Sequence, residues 1–270
     1  MDKQFELVGI VNAPDDGEKG RKTAVKKRPV VSAVILALIV LLCLFCNLVM
    51  TKDPTYMDLY NCNVSPNGEF LFGTDMLGRD IFSMIWYGGR ISLFIGFFST
   101  LISTFLAIVI GSVSGLASPA VDTVIMRATD IFLSIPSLLI IILIQAILGT
   151  ANALSISFVI GITSWTSIAK VVRTEVLRIR NSEYVIAARC MGSGLFHIVL
   201  KHLIPNFISS IMFMVIMNIR SAIVTESTLS FMGMGLPVEI ISWGSMLSLA
   251  ERALMTSSWW MIVIPGLFLV

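Results

Sequence analysis

Residues Ile91-Ser-Leu-Phe-Ile-Gly-Phe-Phe-Ser-Thr-Leu-Ile-Ser-Thr-Phe-Leu-Ala-Ile-Val-Ile-Gly-Ser-Val-Ser-Gly-Leu-Ala117 run for 27 positions without a charge. A bilayer crossing takes roughly 20 apolar residues, and irregular backbone is excluded from lipid, so such a run crosses as a helix. Upstream, Val30 to Met50 is uncharged over 21 residues. Downstream, Ile131 to Gly149, Ala153 to Ala169, Phe207 to Ile219 and Ser257 to Val270 repeat the pattern. Only 13% of the 270 residues are charged and 56% are hydrophobic, against about 25% charged in soluble proteins. The expected fold is therefore an all-α polytopic membrane protein. Its six spans are 30–50, 91–117, about 121–149, 153–169, about 205–231 and one beginning near 257.

The first run is longer than a signal-peptide core and is followed by Met50-Thr-Lys-Asp-Pro54 rather than a small-residue cleavage site, so it reads as a retained span. With the N-terminus inside, 14 of the 19 Lys and Arg fall on internal segments and four (Lys52, Arg79, Arg90, Arg252) on external ones, the bias expected of a cytosolic N-terminus. Residues 1–29 read as a disordered cytosolic tail, with Lys26-Lys27-Arg28 beside anionic lipid rather than on nucleic acid. The cysteines at 43, 46, 62 and 190 divide between span, exterior and cytosol, and read as free thiols. The external segment 51–90 carries turn signals at Asp53-Pro54 and Pro66-Asn-Gly68. Its later part is expected to form an interfacial helix, capped by Asp75, with Trp86 and Tyr87 in the aromatic belt. The rest, 91–270, is the core.

Two placements follow from spacing. Arg127 and Asp130 lie one turn apart in the third span and are expected to neutralise each other, and Pro136 is expected to kink that span. Arg220 and Glu226 are the costliest residues of the fifth span. Six positions put them roughly 240° apart around a helix, so they do not pair. For Arg220, a path or subunit-interface position and snorkelling to the outer surface stand equally open, while Glu226 leans to a structural role. With Asn218 they make up the candidate path residues.

No GxxxxGK[ST] sequence occurs, so nucleotide phosphates are not cradled by that device, and nothing resembles a nucleophile–base constellation. His197 and His202, five apart, form no i,i+4 metal pair. The chain is expected to be no enzyme, with no cofactor or metal of its own. The remaining anomaly is 170–204, about thirty polar, helix-forming residues between two spans. Within it, Glu183-Tyr-Val-Ile-Ala-Ala-Arg-Cys-Met-Gly192 has the form of a short docking helix. Ala187 and Ala188 permit close approach, Gly192 ends the helix, and Glu183 either caps its start or meets a cation on a partner. Val185, Ile186 and Met191 are expected to fill a partner's cleft. The bland reading is an amphipathic helix lying on the inner leaflet.

This segment, with Glu183, Tyr184, Ala187, Ala188, Gly192, His202 and Pro205-Asn206 in order, resembles the EAA coupling loop of bacterial ABC-importer permeases. Two further blocks are similar to signatures of that family's dipeptide/oligopeptide/nickel branch, namely Gly73-Thr74-Asp75-Met-Leu-Gly78-Arg79-Asp80 and Glu226-Ser-Thr-Leu-Ser-Phe-Met-Gly-Met-Gly235 with Ser242-Trp-Gly244. The segment between Gly235 and Ser242 is shorter than the branch's usual Pro-rich linker. The family's last span continues beyond the position of Val270, so the chain reads as cut in mid-helix. The resemblance implies a type I permease fold in a bacterial cytoplasmic membrane. It also implies a homologous second permease, two ABC ATPases that bind the ATP and Mg, and an extracellular or periplasmic substrate-binding protein. The cargo it implies is a peptide or a metal–chelator complex, with free nickel as the alternative; span five offers no metal ligand before Glu226. A secondary transporter would need midplane carboxylates that the spans scarcely supply, and an inert scaffold would leave the docking segment unexplained.

Overall fold

The computed structural model describes residues 30–149, 151–237, 239–253 and 258–269. The expected tail 1–29, with its basic cluster, and the start of the last run at Ser257 lie outside the described residues. The chain divides into two units, residues 1–38 and 39–270. Helix α1 (Val30–Leu44) begins in the first unit and is followed by the single turn α2 (Cys46–Val49). The second unit continues with α3 (Ile81–Leu116), α4 (Pro119–Ser134), α5 (Ser137–Leu148), α6 (Ala153–Thr163) and α7 (Thr166–Ile179). It ends with α8 (Glu183–Cys190), α9 (Leu195–Ile198), α10 (Ile204–Phe231), α11 (Trp243–Ala253) and α12 (Trp260–Leu269). Among the described residues, α3 and the run Phe196–Phe231 are long and apolar enough to cross a membrane unaided. The pairs α4–α5 and α6–α7 reach that length only across bends of 87° and 46°, and Ala33–Leu44 and α12 are shorter apolar helices.

Helix α3 organises the unit, and its two faces show the solvent it is built for. Inward it shows Ser92, Gly96, Ser99, Ser103, Ala107, Gly111 and Gly115, all buried. Outward it shows Phe94, Phe97, Leu101, Phe105, Val109 and Val113, all exposed. Large apolar groups outside and small ones inside invert the water-soluble pattern, because lipid accepts the large groups while small residues let helices close in. A Cβ on Gly111 would lie 2.6 Å from the Ala169 carbonyl of α7, and one on Gly96 2.6 Å from Ile223 of α10. Around this axis, Ala107 packs with Ile168, Val172, Val176, Val185, Leu203 and Phe207 in one cluster. A second cluster joins Ile85, Trp86, Ile223, Trp243, Met246 and Trp260.

Several expectations change in three dimensions. No separate interfacial helix occupies the end of 51–90, since α3 begins at Ile81 as one continuous helix. Its N-cap is Asp80, which accepts the Ser83 N–H at 3.1 Å; Asp75 does not cap it. Trp86 is not in an aromatic belt but buried, edge-on to Phe82 and Phe268. Pro136 does more than kink: Ile135 before it is extended (φ −92°, ψ 129°) and α4 turns 87° away from α5. Proline disfavours the α region in its predecessor and offers no N–H to continue the ladder.

Asp130 is bonded not by Arg127 but by Lys170 of α7, 2.7 Å away. Arg173 of α7 grips both oxygens of Asp122, which also accepts from Ser114, and Arg180 donates to the Gly115 carbonyl at 2.9 Å. The charged segment 170–180 therefore stays within the bundle's packing. It packs along α3 and is clamped to α4. The connection after α10 holds a further helix unforeseen from sequence, α11, whose Trp243, Met246 and Ala250 are buried. Its signal was present in the reciprocal capping of Ser242 and Ser245, three residues apart, whose N–H groups bond each other's Oγ at 2.8 and 3.0 Å.

Candidate functional site

The short helix α8 is closed at both ends by local chemistry. Ser182 stands at the N-cap without a side-chain bond, and Glu183 sits in the first turn, where its charge faces the positive helix end. Gly192 (φ +83°) follows the last turn, with Gly192 N–H bonding the Arg189 carbonyl at 2.9 Å and Ser193 N–H the Ala188 carbonyl at 3.0 Å. That double bond is a Schellman stop, which needs a left-handed residue that glycine supplies without a Cβ penalty. Val185 and Ala188 point inward and join the core. Glu183, Tyr184, Ile186, Ala187 and Met191 point outward, Met191 being 80% exposed. The expected docking set thus divides: Val185 and Ala188 anchor the helix to its own subunit, leaving Tyr184, Ile186, Ala187 and Met191 as the free surface.

Beyond α9 the backbone widens into one π turn, Val199–Leu203. Five residues on an α-helix point in different directions, but the wider turn brings His197 and His202 together, with rings 6.1 Å apart, and Tyr184 lies 6.2 Å from His202. Spacing alone had separated these histidines. The ring cluster joins α8 to the foot of α10.

The 73–80 block, expected outside the membrane, folds into a knot that faces inward. Asp75 accepts the N–H groups of Leu77 and Arg79 at 2.9 and 2.8 Å, and Arg79 Nε at 2.7 Å. Both side chains are buried, at 5% and 3% exposure. Thr74 bonds the Asn61 carbonyl and the Val64 N–H, while its own carbonyl accepts Trp260 Nε1 of α12 at 3.2 Å. Asp80 also accepts Thr51 Oγ1 at 3.0 Å. Gly73 and Gly78 both have positive φ, and a Cβ on Gly78 would overlap the Asp58 carbonyl. Gly73, Thr74, Asp75, Gly78, Arg79 and Asp80 therefore spend their chemistry fastening the loop to the start of α3 and to α12. The lobe presents other side chains outward: Tyr56, Met57, Leu59 and Tyr60 are exposed. Nearby, the Thr55 hydroxyl holds the Asp53 carboxyl below the usual carboxylate range.

Glu226 is likewise a fastening. It is 0% exposed, and its Oε1 accepts Ser230 Oγ at 2.8 Å and Ser242 Oγ at 2.9 Å. Gly244 lies so close that a Cβ there would sit 3.0 Å from the carboxylate. Trp243 then bonds α3 twice, from its N–H to Ser92 Oγ at 3.1 Å and from Nε1 to the Ile85 carbonyl at 3.0 Å. The similar block at 226–244 thus ties α11 to α10 and α3.

Of the three path candidates, only Asn218 lines a cleft with polar groups in its wall, a space of about 540 Å³. The cleft lies where two helix breaks face α10. Pro136 and Ser137 come from the α4–α5 break, Ser164 and Thr166 from the α6–α7 break, and Met217, Asn218 and Ser221 from α10. Its lining has hydroxyl, amide and apolar groups and no charge. Asn218 Nδ2 donates to Ser103 Oγ, whose hydroxyl bonds the Thr100 carbonyl at 3.1 Å. Arg220 lies on α10's exposed face, outside the cleft lining, and Glu226, also outside that lining, is fully buried. The helix breaks that build the cleft were the feature missed from sequence, although Pro136 marked one of them.

With this geometry in hand, comparison with known proteins is specific. A family model for the inner membrane component of binding-protein-dependent transport systems matches residues 107–270. The chain is 36% identical over 233 residues to the oligopeptide transport system permease protein OppC of Bacillus subtilis, covering 86% of this chain and 76% of the relative. It is 35% identical over 207 residues to the dipeptide transport system permease protein DppC of the same organism, covering 77% of this chain and 64% of the relative. Identity with OppC of Haemophilus influenzae is 33% over 245 residues, or 90% and 78% of the two chains. An all-helical bundle with lipid-adapted faces, matched over more than half its length, belongs to the family of inner membrane components of binding-protein-dependent transport systems.

Proposed function

We propose that this chain is one of two permease subunits of an ATP-driven importer of peptides, with its N-terminus and α8 in the cytosol. Each of two ATPase subunits, which bind ATP and Mg, docks on one coupling helix. Here the contact is made by Tyr184, Ile186, Ala187 and Met191, beside Glu183. An external binding protein delivers the cargo. Closure of the ATPases draws the coupling helices together and opens the bundle outward; hydrolysis resets it. The observation that carries the docking role is α8 itself: a rigid short helix, anchored inward by Val185 and Ala188 and stopped at Gly192, that keeps an apolar face outside.

Peptide cargo is supported by the relatives, described as oligopeptide and dipeptide permeases, and by the uncharged cleft at Asn218. Hydroxyl and amide groups suit a peptide backbone of any side-chain charge, whereas a bare divalent ion seeks carboxylate, imidazole or thiolate ligands. The test is reconstitution of the complete importer in proteoliposomes. Peptide-loaded binding protein should stimulate ATP hydrolysis and peptide uptake. Saturable uptake of free Ni²⁺ that peptides do not compete would overturn the cargo assignment. Failure of the ATPases to co-purify would overturn the permease role.

A further inference from the structure

We infer that the outward face of α10 centred on Arg220 is the seat of the second permease subunit, and that this partner brings a carboxylate to the guanidinium within the bilayer. The inference rests on the two-permease reading above. Arg220 is exposed on α10, in the apolar run Phe196–Phe231. It stands eleven residues from Phe231, about 16 Å along the axis at 1.5 Å per residue. That is roughly half the ~30 Å hydrocarbon thickness, and the other end of the run is farther still.

Its companions on the face, at helical spacing, are Phe213, Ile216 and Val224, which are 70%, 58% and 38% exposed. An arginine in the middle of an apolar, outward stripe at membrane depth is costly unless it is paired or wetted. Among the described residues it makes no ion pair or hydrogen bond. The carboxylate on its own helix, Glu226, is committed to Ser230 and Ser242 and points some 240° away. Lipid tails offer the guanidinium no acceptor. The hydroxyl-bearing cleft is built on the neighbouring face around Asn218 and Ser221, without Arg220 in its lining. What remains is a protein surface carrying an acidic side chain, for which the planar, always-charged guanidinium is the matching fork. Phe213 and Met217 border both the stripe and the cleft, so a subunit seated here also closes the cleft's open side and makes it a path between the two.

The test uses the full-length chain co-expressed with the importer's second permease, tagged, with recovery measured after mild detergent extraction and normalised to the amount of chain in the membrane. Arg220→Met and Arg220→Glu are expected to lower recovery at least tenfold, and Arg220→Lys to keep part of it. Reversing one acidic residue in the second permease's spans to Arg should restore recovery with Arg220→Glu and with no other form. Recovery of Arg220→Met at the wild-type level overturns the inference. Recovery at that level with loss of peptide uptake overturns it in favour of a substrate-facing arginine. If a neutral variant fails to accumulate, Arg220→Lys and the reversed pair still decide. Failure of the wild-type chain to recover any second permease refutes the two-permease reading instead.

Discussion

Replacing Glu226 tests whether this fully buried carboxyl is a fastener or a path group. Glu226→Ala removes the acceptor for two hydroxyls, Ser230 at 2.8 Å and Ser242 at 2.9 Å. At about 1.5 kcal/mol per bond to a carboxyl, the low end of the range, the loss is about 3 kcal/mol. The vacated space beside Gly244 adds about 1 kcal/mol for lost packing, giving about 4 kcal/mol. For a chain of this size that corresponds to a fall of about 8–16 °C in the unfolding midpoint. Glu226→Gln keeps a carbonyl oxygen for both serines and changes only the oxygen whose contact, with Ser227, is 3.5 Å long. The Gln variant should therefore stay within about 1 kcal/mol of wild type, or about 4 °C, and keep peptide uptake. The assay is thermal unfolding of the purified complex in detergent followed by tryptophan fluorescence, because Trp243 adjoins the lost contact. An Ala variant melting within 2 °C of wild type, or a Gln variant as damaged as Ala, would refute the fastener argument.

Three other outcomes follow from the same geometry. Gly78→Ala should unfold the lobe that holds the 73–80 block, since the left-handed backbone costs a Cβ about 1–2 kcal/mol and the Asp58 carbonyl blocks it, whereas Gly68→Ala, with nothing within 4 Å, should be silent; equal protease resistance of the lobe in the two variants would contradict this. Gly192→Arg should abolish most substrate stimulation of ATP hydrolysis while leaving membrane insertion intact, because it strains the Schellman stop and crowds the docking face; normal stimulation in proteoliposomes would count against α8 as the dock. In intact cells an impermeant maleimide should label the half-buried Cys62, and reach the exposed Cys190 only after the membrane is opened, with the buried Cys43 and Cys46 silent in both states; the reverse order for Cys62 and Cys190 would invert the proposed topology.

What the sequence by itself determined was everything encoded in contiguous residues. Apolar runs long enough for a bilayer declare an all-helical membrane protein, since burial of the backbone in lipid depends only on length and hydropathy. Gly192 declares a helix end and Pro136 a disturbance of its helix because their constraints are local to the backbone, although the 87° turn at Pro136 was not foreseen. The tertiary structure alone decided which distant groups meet, because that depends on how each helix is rotated and bent against its neighbours. Arg127 lies nearer to Asp130 in sequence, yet Lys170, forty residues away, takes the bond because α7 packs along α3 and faces α4. The polar signature 73–80 suggests a surface, yet the loop closes over it and turns its charges inward. His197 and His202 are out of phase on an α-helix and adjacent on the π turn. Asn218 and Arg220 are two residues apart, and a rotation of about 200° sends one into the cleft and the other to the outer face.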